Sequence, residues 1–175
     1  MPEPLSLELL IQHAASWVST ERQTHRATAS PLLPELRTRL DPYFNAPLLD
    51  SLRIALVPVI DNPPFYAELS RAELPDLIDF RDMRGITFHD TILLATSRGA
   101  SASDAQLLFH ECVHAVQYST LGLDEFVRKY VTGWAEQSFE YARIPLEVDA
   151  YELEARFDAE SVAFDVDAEV RHALL

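Results

Sequence analysis

Apolar residues recur with a helical period near the start of the chain, at Leu5, Leu9, Leu10, Ala14, Trp17 and Val18. They predict a helix over residues 5–20. The polar stretch Glu21–Ser30 reads as a loop or a frayed helix end. A second short helix is expected over Pro34–Leu40, and one further turn over Leu48–Ser51. The pattern then changes. Residues 52–60 are rich in Leu, Ile, Ala and Val and partly alternate, which predicts a strand. Pro58 lacks an N–H donor, so it belongs near the end of an edge or bulged strand. A short helix is expected near Leu74–Phe80. Gly85–Phe88, His89-Asp90 and Thr91–Thr96 read as two strands about a tight turn, with His89 exposed in that turn.

Three helices should follow. Ser103 and Gln106 form a capping box that opens the first. It should run to about Thr120, with Gly122 as its stop. Asp124 is the expected cap of the second, roughly Glu125–Tyr141. Pro145 suits the first turn of the last, which is expected to continue to about the C-terminus. Helices, then strands, then helices make an α+β chain. One domain over 1–175 is expected, with a helical part at 1–50, a sheet region at 52–96 and a helical region at 103–175.

Composition narrows the function classes. The 175 residues are 48% hydrophobic, too apolar for a disordered chain. Lys and Arg number 14 and Asp and Glu 28, for a net charge of −14. That field repels nucleic acid and anionic membrane, so no nucleic acid and no membrane are expected as partners. The net −8 within residues 135–175 reads as a solvated helix face. One cysteine, Cys112, excludes an internal disulfide framework and a Cys-rich zinc module. With no signal-peptide pattern and no apolar run of membrane length, a cytoplasmic setting is the expectation. Nothing in the chain indicates an oligomeric state.

His110-Glu111-Cys112-Val113-His114 is an HExxH motif inside the first of the late helices. Histidines at i and i+4 share a helix face and can reach one metal ion. The intervening glutamate can reach a water on that metal and take its proton. A third ligand must come from further along, because Gln117 and Thr120 stand where a metzincin has glycine and histidine. Acidic residues on the last helix are the candidates. Glu147, Ala150, Tyr151 and Glu154 share one stripe at i, i+3, i+4 and i+7. Glu147 is the expected ligand, with Glu154, Glu140 and Asp149 as alternatives.

Cys112 points away from the histidine face and reads as core. Gln117 reads either as a partner of a metal ligand's neighbourhood or as a surface amide. Tyr118, Tyr141 and Tyr151 could each polarise a carbonyl oxygen, although each reads more simply as packing; Tyr151 is the catalytic candidate among them. Trp134 and Phe139 read as core. The strand Thr91–Thr96 could pair with an extended peptide if it lies at an edge, or be internal.

Two stretches carry a family likeness: Gly85–Leu94, and Leu108–Tyr118 with its HExxHxxQ form. The chain resembles the zincin metallopeptidases of the gluzincin type, and more narrowly small bacterial HExxH proteins of unknown function. The likeness covers about residues 85–165. It implies a zincin-like fold, zinc on His110 and His114, and Glu111 as general base. The Pro-Leu-Glu-x-x-Ala-Tyr segment resembles the place where such sequences carry their acidic ligand, which again points to Glu147. The expectation is a zinc-dependent peptide-bond hydrolase acting on a peptide or protein substrate. The alternative is a non-catalytic, zinc-stabilised binding or assembly module.

Overall fold

The computed structural model describes residues 6–69 and 77–175. The chain is α+β, with seven α-helices and a three-stranded mixed sheet among the described residues. Helix α1 spans Leu7–Arg26, with the Ser6 hydroxyl accepting from the Leu9 N–H at 3.2 Å. It runs to Arg26, well into the polar stretch that the sequence suggested was a loop or a frayed helix end. The extra turns are held by tertiary contacts: Arg22 donates two hydrogen bonds to the Asp90 carboxylate, at 2.7 and 2.8 Å. Arg26 reaches the same carboxylate and the Ser51 carbonyl. Helices α2 (Pro34–Leu40) and α3 (Ala46–Ser51) follow, the latter capped by Asn45.

Strand β1 is Arg53–Val57, so Pro58 falls just beyond it. Strands β2 (Gly85–Phe88) and β3 (Thr91–Ala95) form the expected hairpin. Its turn residue His89 takes a left-handed conformation, φ 62°. His89 is half-buried, with its ring beside Tyr118, rather than exposed as the sequence suggested. Of the expected helix near Leu74–Phe80, residues 74–76 lie outside the described residues; residues 80–82 form a single 3₁₀ turn.

The sheet order is β1-β3-β2, with β1 parallel and β2 antiparallel to β3. Strand β3 is therefore internal, and the possibility that Thr91–Thr96 offers an edge to a peptide is corrected. All five of its residues are buried, as a strand covered on both faces requires. Ile92 and Leu94 face one core with Ile54; Leu93 and Ala95 face another with Ala55. The outer edge of β1 is closed by Ser30, which exchanges two backbone bonds with Ile54 at 2.7 and 3.0 Å. The edge of β2 is different. The Arg84 carbonyl accepts from the Ala95 N–H at 2.8 Å. By antiparallel alternation, Gly85 and Thr87 then turn their N–H and C=O groups outward. Among the described residues no backbone bond meets them there.

Helix α4 (Ala105–Leu121) is capped by Asp104, which accepts from the Leu107 N–H at 3.1 Å, one residue beyond the expected Ser103. Aspartate accepts as well as serine does, and Arg84 fixes its other oxygen. Helix α5 (Leu123–Glu136) starts directly at Gly122, φ 79°, so Asp124 lies in its first turn and is not its cap. It ends five residues before Tyr141, because Ser138 and Phe139 both adopt positive φ. The last helix is two: α6 (Pro145–Ala159) and α7 (Val166–Leu174). The break lets Phe164 pack edge-on against Tyr43 and Phe109, and Asp165 caps α7. Helix α1 lies across the sheet and against α5, while α4 packs on the opposite core with α6 and α7. No helix among the described residues is long and apolar enough to cross a membrane.

Candidate metal centre

Helix α4 is buried over nearly its whole length, so its histidines cannot rely on water as a partner. His110 and His114 sit one turn apart and turn their Nε2 atoms toward each other, 3.1 Å apart. The carboxylate of Glu147, in the first turn of α6, completes a triangle. Its Oε2 lies 3.4 Å from each Nε2. A tetrahedral zinc site with arms of about 2.0–2.1 Å has ligand-to-ligand edges of about 3.3 Å. All three residues are buried and their donor atoms lie close enough together to hold a metal ion.

Glu147 carries the clearest sign of a missing partner. Its Oε1 accepts from the Tyr130 hydroxyl at 2.6 Å. Its Oε2 is buried and accepts no hydrogen bond. A buried carboxylate oxygen without a partner is costly, and a cation between it and the two imidazoles removes that cost. The position of Glu147 depends on Gly133 of α5. A Cβ there would stand 2.7 Å from Pro145 Cδ, so the glycine lets the first turn of α6 close onto α5.

The remaining ring nitrogens are fixed by neighbours. Glu154 Oε2 accepts from His110 Nδ1 at 2.9 Å, and Gln117 Oε1 accepts from His114 Nδ1 at 2.8 Å. Both histidines thereby present Nε2 to the centre, as ligating imidazoles do. Gln117 is fully buried and also donates to the Leu146 carbonyl at 3.0 Å, so the surface-amide reading is corrected. Glu154 stands behind His110 rather than within the triangle. Glu140 and Asp149 are not part of the group. Cys112 is fully buried in the core, as expected. His172 lies exposed on α7.

Glu111 is buried beside the triangle, between α4 and β2. Thr87 donates its hydroxyl proton toward Glu111 Oε2 at 2.7 Å, with the Glu111 carbonyl an alternative acceptor at 2.9 Å. The carboxylate also lies close above Gly85: a Cβ at that position would be 2.6 Å from Oε1. Thr87, Gly85 and Tyr130 were not singled out from the sequence. Strand alternation does place Gly85 and Thr87 on one face, but nothing local says which helix covers it.

Burial and charge pull these groups in different directions. Burial pushes the Glu111 carboxyl up, against the nearby imidazoles and Thr87. Burial disfavours a charged His110, yet the carboxylates of Glu147 and Glu154 raise it to about 10. Burial likewise opposes charge on His114, and Glu147 raises it. Burial would raise Glu147, but His114 and then His110 hold it far below the ordinary carboxylate range. These carboxylates stand around the imidazoles in the geometry that also suits a cation.

Two cavities meet at the centre, sharing Ile78, Met83, Gly85, His110, Glu111 and Tyr141 in their walls. One is a broad groove of about 590 Å³ with Asp82, Gln106, Tyr151 and Glu154 along it. Tyr151 is 47% exposed there, its ring 4.6 Å from that of His110. The other is a smaller, mostly apolar cavity of about 110 Å³ that reaches under α1. Tyr118 is buried and Tyr130 half-buried in its wall, and Trp134 belongs to the core around it. No family model, curated protein or solved structure matches the chain.

Proposed function

We propose that this chain is a zinc-dependent peptide-bond hydrolase of the zincin type. The observation that carries the reading is the buried, unpartnered Glu147 Oε2 lying 3.4 Å from two imidazole nitrogens that already face each other. His110, His114 and Glu147 would hold the metal. A zinc ion there supplies Lewis-acid chemistry, polarising a carbonyl and acidifying water at neutral pH.

The chain's own residues do the rest. Glu111 accepts the proton of the attacking water and later delivers it to the leaving amine. Its raised affinity for protons matches that task, and Thr87 fixes the direction of its carboxylate. The outward N–H and C=O of Gly85, which lines the groove, can pair with an extended peptide and align it beside Glu111. Tyr151, exposed in the groove, donates to the carbonyl oxygen as negative charge develops on it. The groove on one side of the triangle gives a chain room to approach, which favours turnover over a closed structural metal site.

Elemental analysis and peptide cleavage test this together. The parent should hold one zinc per chain and Glu147→Ala should lose it. Glu111→Gln should keep the zinc and lose cleavage of a mixed peptide digest, followed by amine release. Cleavage by Glu111→Gln at the parent's rate, or a parent that takes up no zinc after reconstitution, refutes the proposal.

A further inference from the structure

The apolar cavity continues directly from the metal triangle, because His110, Glu111, His114 and Glu147 form part of its wall. The rest of that wall is almost wholly apolar. It includes Ala14 and Trp17 of α1, Phe88 of β2, Tyr118 of α4, and Phe126 and Val127 of α5. A cavity lined this way gains little from water, since a water needs two or more polar partners. Its volume is about 110 Å³. An engineered apolar cavity of about 150 Å³ admits benzene. This one therefore suits a branched aliphatic group of leucine size rather than an indole.

We infer that the cavity between α1 and α5 seats one leucine-sized aliphatic side chain of the substrate, adjoining the scissile bond, and that Ala14 sets its depth. The inference rests on the metal-dependent reading of the same centre. It gives a role to α1, which lies outside the HExxH region and yet forms one wall of the site. Ala14 is half-buried on the face of α1 that lies toward the sheet, within a helix whose neighbours Leu10 and Val18 are buried. A larger residue there would project into the cavity.

The test uses two metal-binding probes on zinc-loaded protein, 4-methylpentanohydroxamate and acetohydroxamate, with affinities measured by calorimetry. They share a head group and differ by four carbons. Burying each carbon is worth about fourfold in affinity, so the larger probe should bind about 250-fold more tightly. The chain has two tryptophans, and both line this cavity. Their fluorescence should change with the larger probe and not with the smaller. In Ala14→Phe the ratio of the two affinities should fall to about fivefold or less. Ala14→Leu, a milder change in a helix, should give an intermediate ratio and guards against a misfolded variant. Equal affinities in the parent, or an unchanged ratio in both variants, overturn the inference while leaving the metal site standing. Failure of the parent to take up zinc at all overturns the metal-dependent reading, and this inference with it.

Discussion

Replacing Gly85 by alanine should destabilise the protein, and replacing Glu111 as well should reverse the sign. The Gly85 backbone is not in the left-handed region, so alanine is allowed by conformation. In an open strand position it would gain about 0.4–1 kcal/mol by restricting the unfolded chain. Here its Cβ would lie 2.6 Å from Glu111 Oε1, 3.1 Å from Glu111 Cδ and 3.2 Å from Leu107 Cδ1. The carboxylate must retreat by most of an ångström. It cannot do so freely, because Thr87 holds its other oxygen at 2.7 Å. Losing a hydrogen bond to a charged group costs about 1.5–3 kcal/mol, and an off-rotamer side chain about 0.5–1.5 kcal/mol. Gly85→Ala alone should therefore cost about 1–3 kcal/mol, which lowers Tm by roughly 2–12 °C in a chain of this size. In a Glu111→Ala background only the 3.2 Å approach of the Leu107 methyl, the end of a flexible side chain, remains, and the same substitution should be neutral or stabilising by up to about 1 kcal/mol. The assay is thermal unfolding of the four proteins under one buffer, read as a double-mutant cycle. A Gly85→Ala protein as stable as the parent, or an equal loss in both backgrounds, refutes the close packing of β2 on the Glu111 carboxylate.

Three further outcomes follow from the same geometry. Chelation should lower Tm, and zinc at about a thousandfold excess over its Kd should raise it by about 4 kcal/mol, or roughly 8–16 °C; an unchanged Tm argues against a metal centre. Glu154→Ala removes the acceptor behind His110 and should weaken zinc about 10–100-fold in a competition titration without abolishing binding, whereas a complete loss would make Glu154 a ligand. Asp90→Asn should cost about 1–2 kcal/mol at pH 7, because the carboxylate accepts from Arg22 and meets Arg26. Burial opposes its charge, but His89 and Arg22 hold it well below the ordinary range. Its contribution is thus present above about pH 4 and lost as pH falls, so the two melting curves should converge in acid; a gap that persists at low pH refutes the ionic account.

The parts of the site legible in the sequence are those set by local periodicity. The i, i+4 histidines and the i, i+7 carboxylates follow from the 3.6-residue turn alone, and the structure brings His110, His114 and Glu147 together. What separates Glu147 from Glu154 is not periodic. It depends on how closely α6 approaches α5, which Gly133 and Pro145 decide. Thr87 and Gly85 come from a strand whose contact with α4 is tertiary, so their relation to Glu111 could not be read from spacing. The fold shows the same division. The hairpin and the start of α6 carry their own turn and proline signals. The continuation of α1 through Arg26 depends on Asp90, more than sixty residues away, and the break before α7 depends on an aromatic cluster. Neither leaves a local mark.

The two sheet edges carry different hazards. Ser30 occupies the free backbone groups of Ile54, and Pro58 follows the strand, so a second chain finds little to add to at β1. At Gly85 and Thr87 the β2 edge has no backbone partner among the described residues and is guarded by burial instead, Gly85 half-buried and Thr87 5% exposed. Where local opening bares it, such an unpaired edge becomes a template for another copy of the same chain. The chain's strong negative charge opposes that encounter, so added salt should promote self-association through this edge before any other.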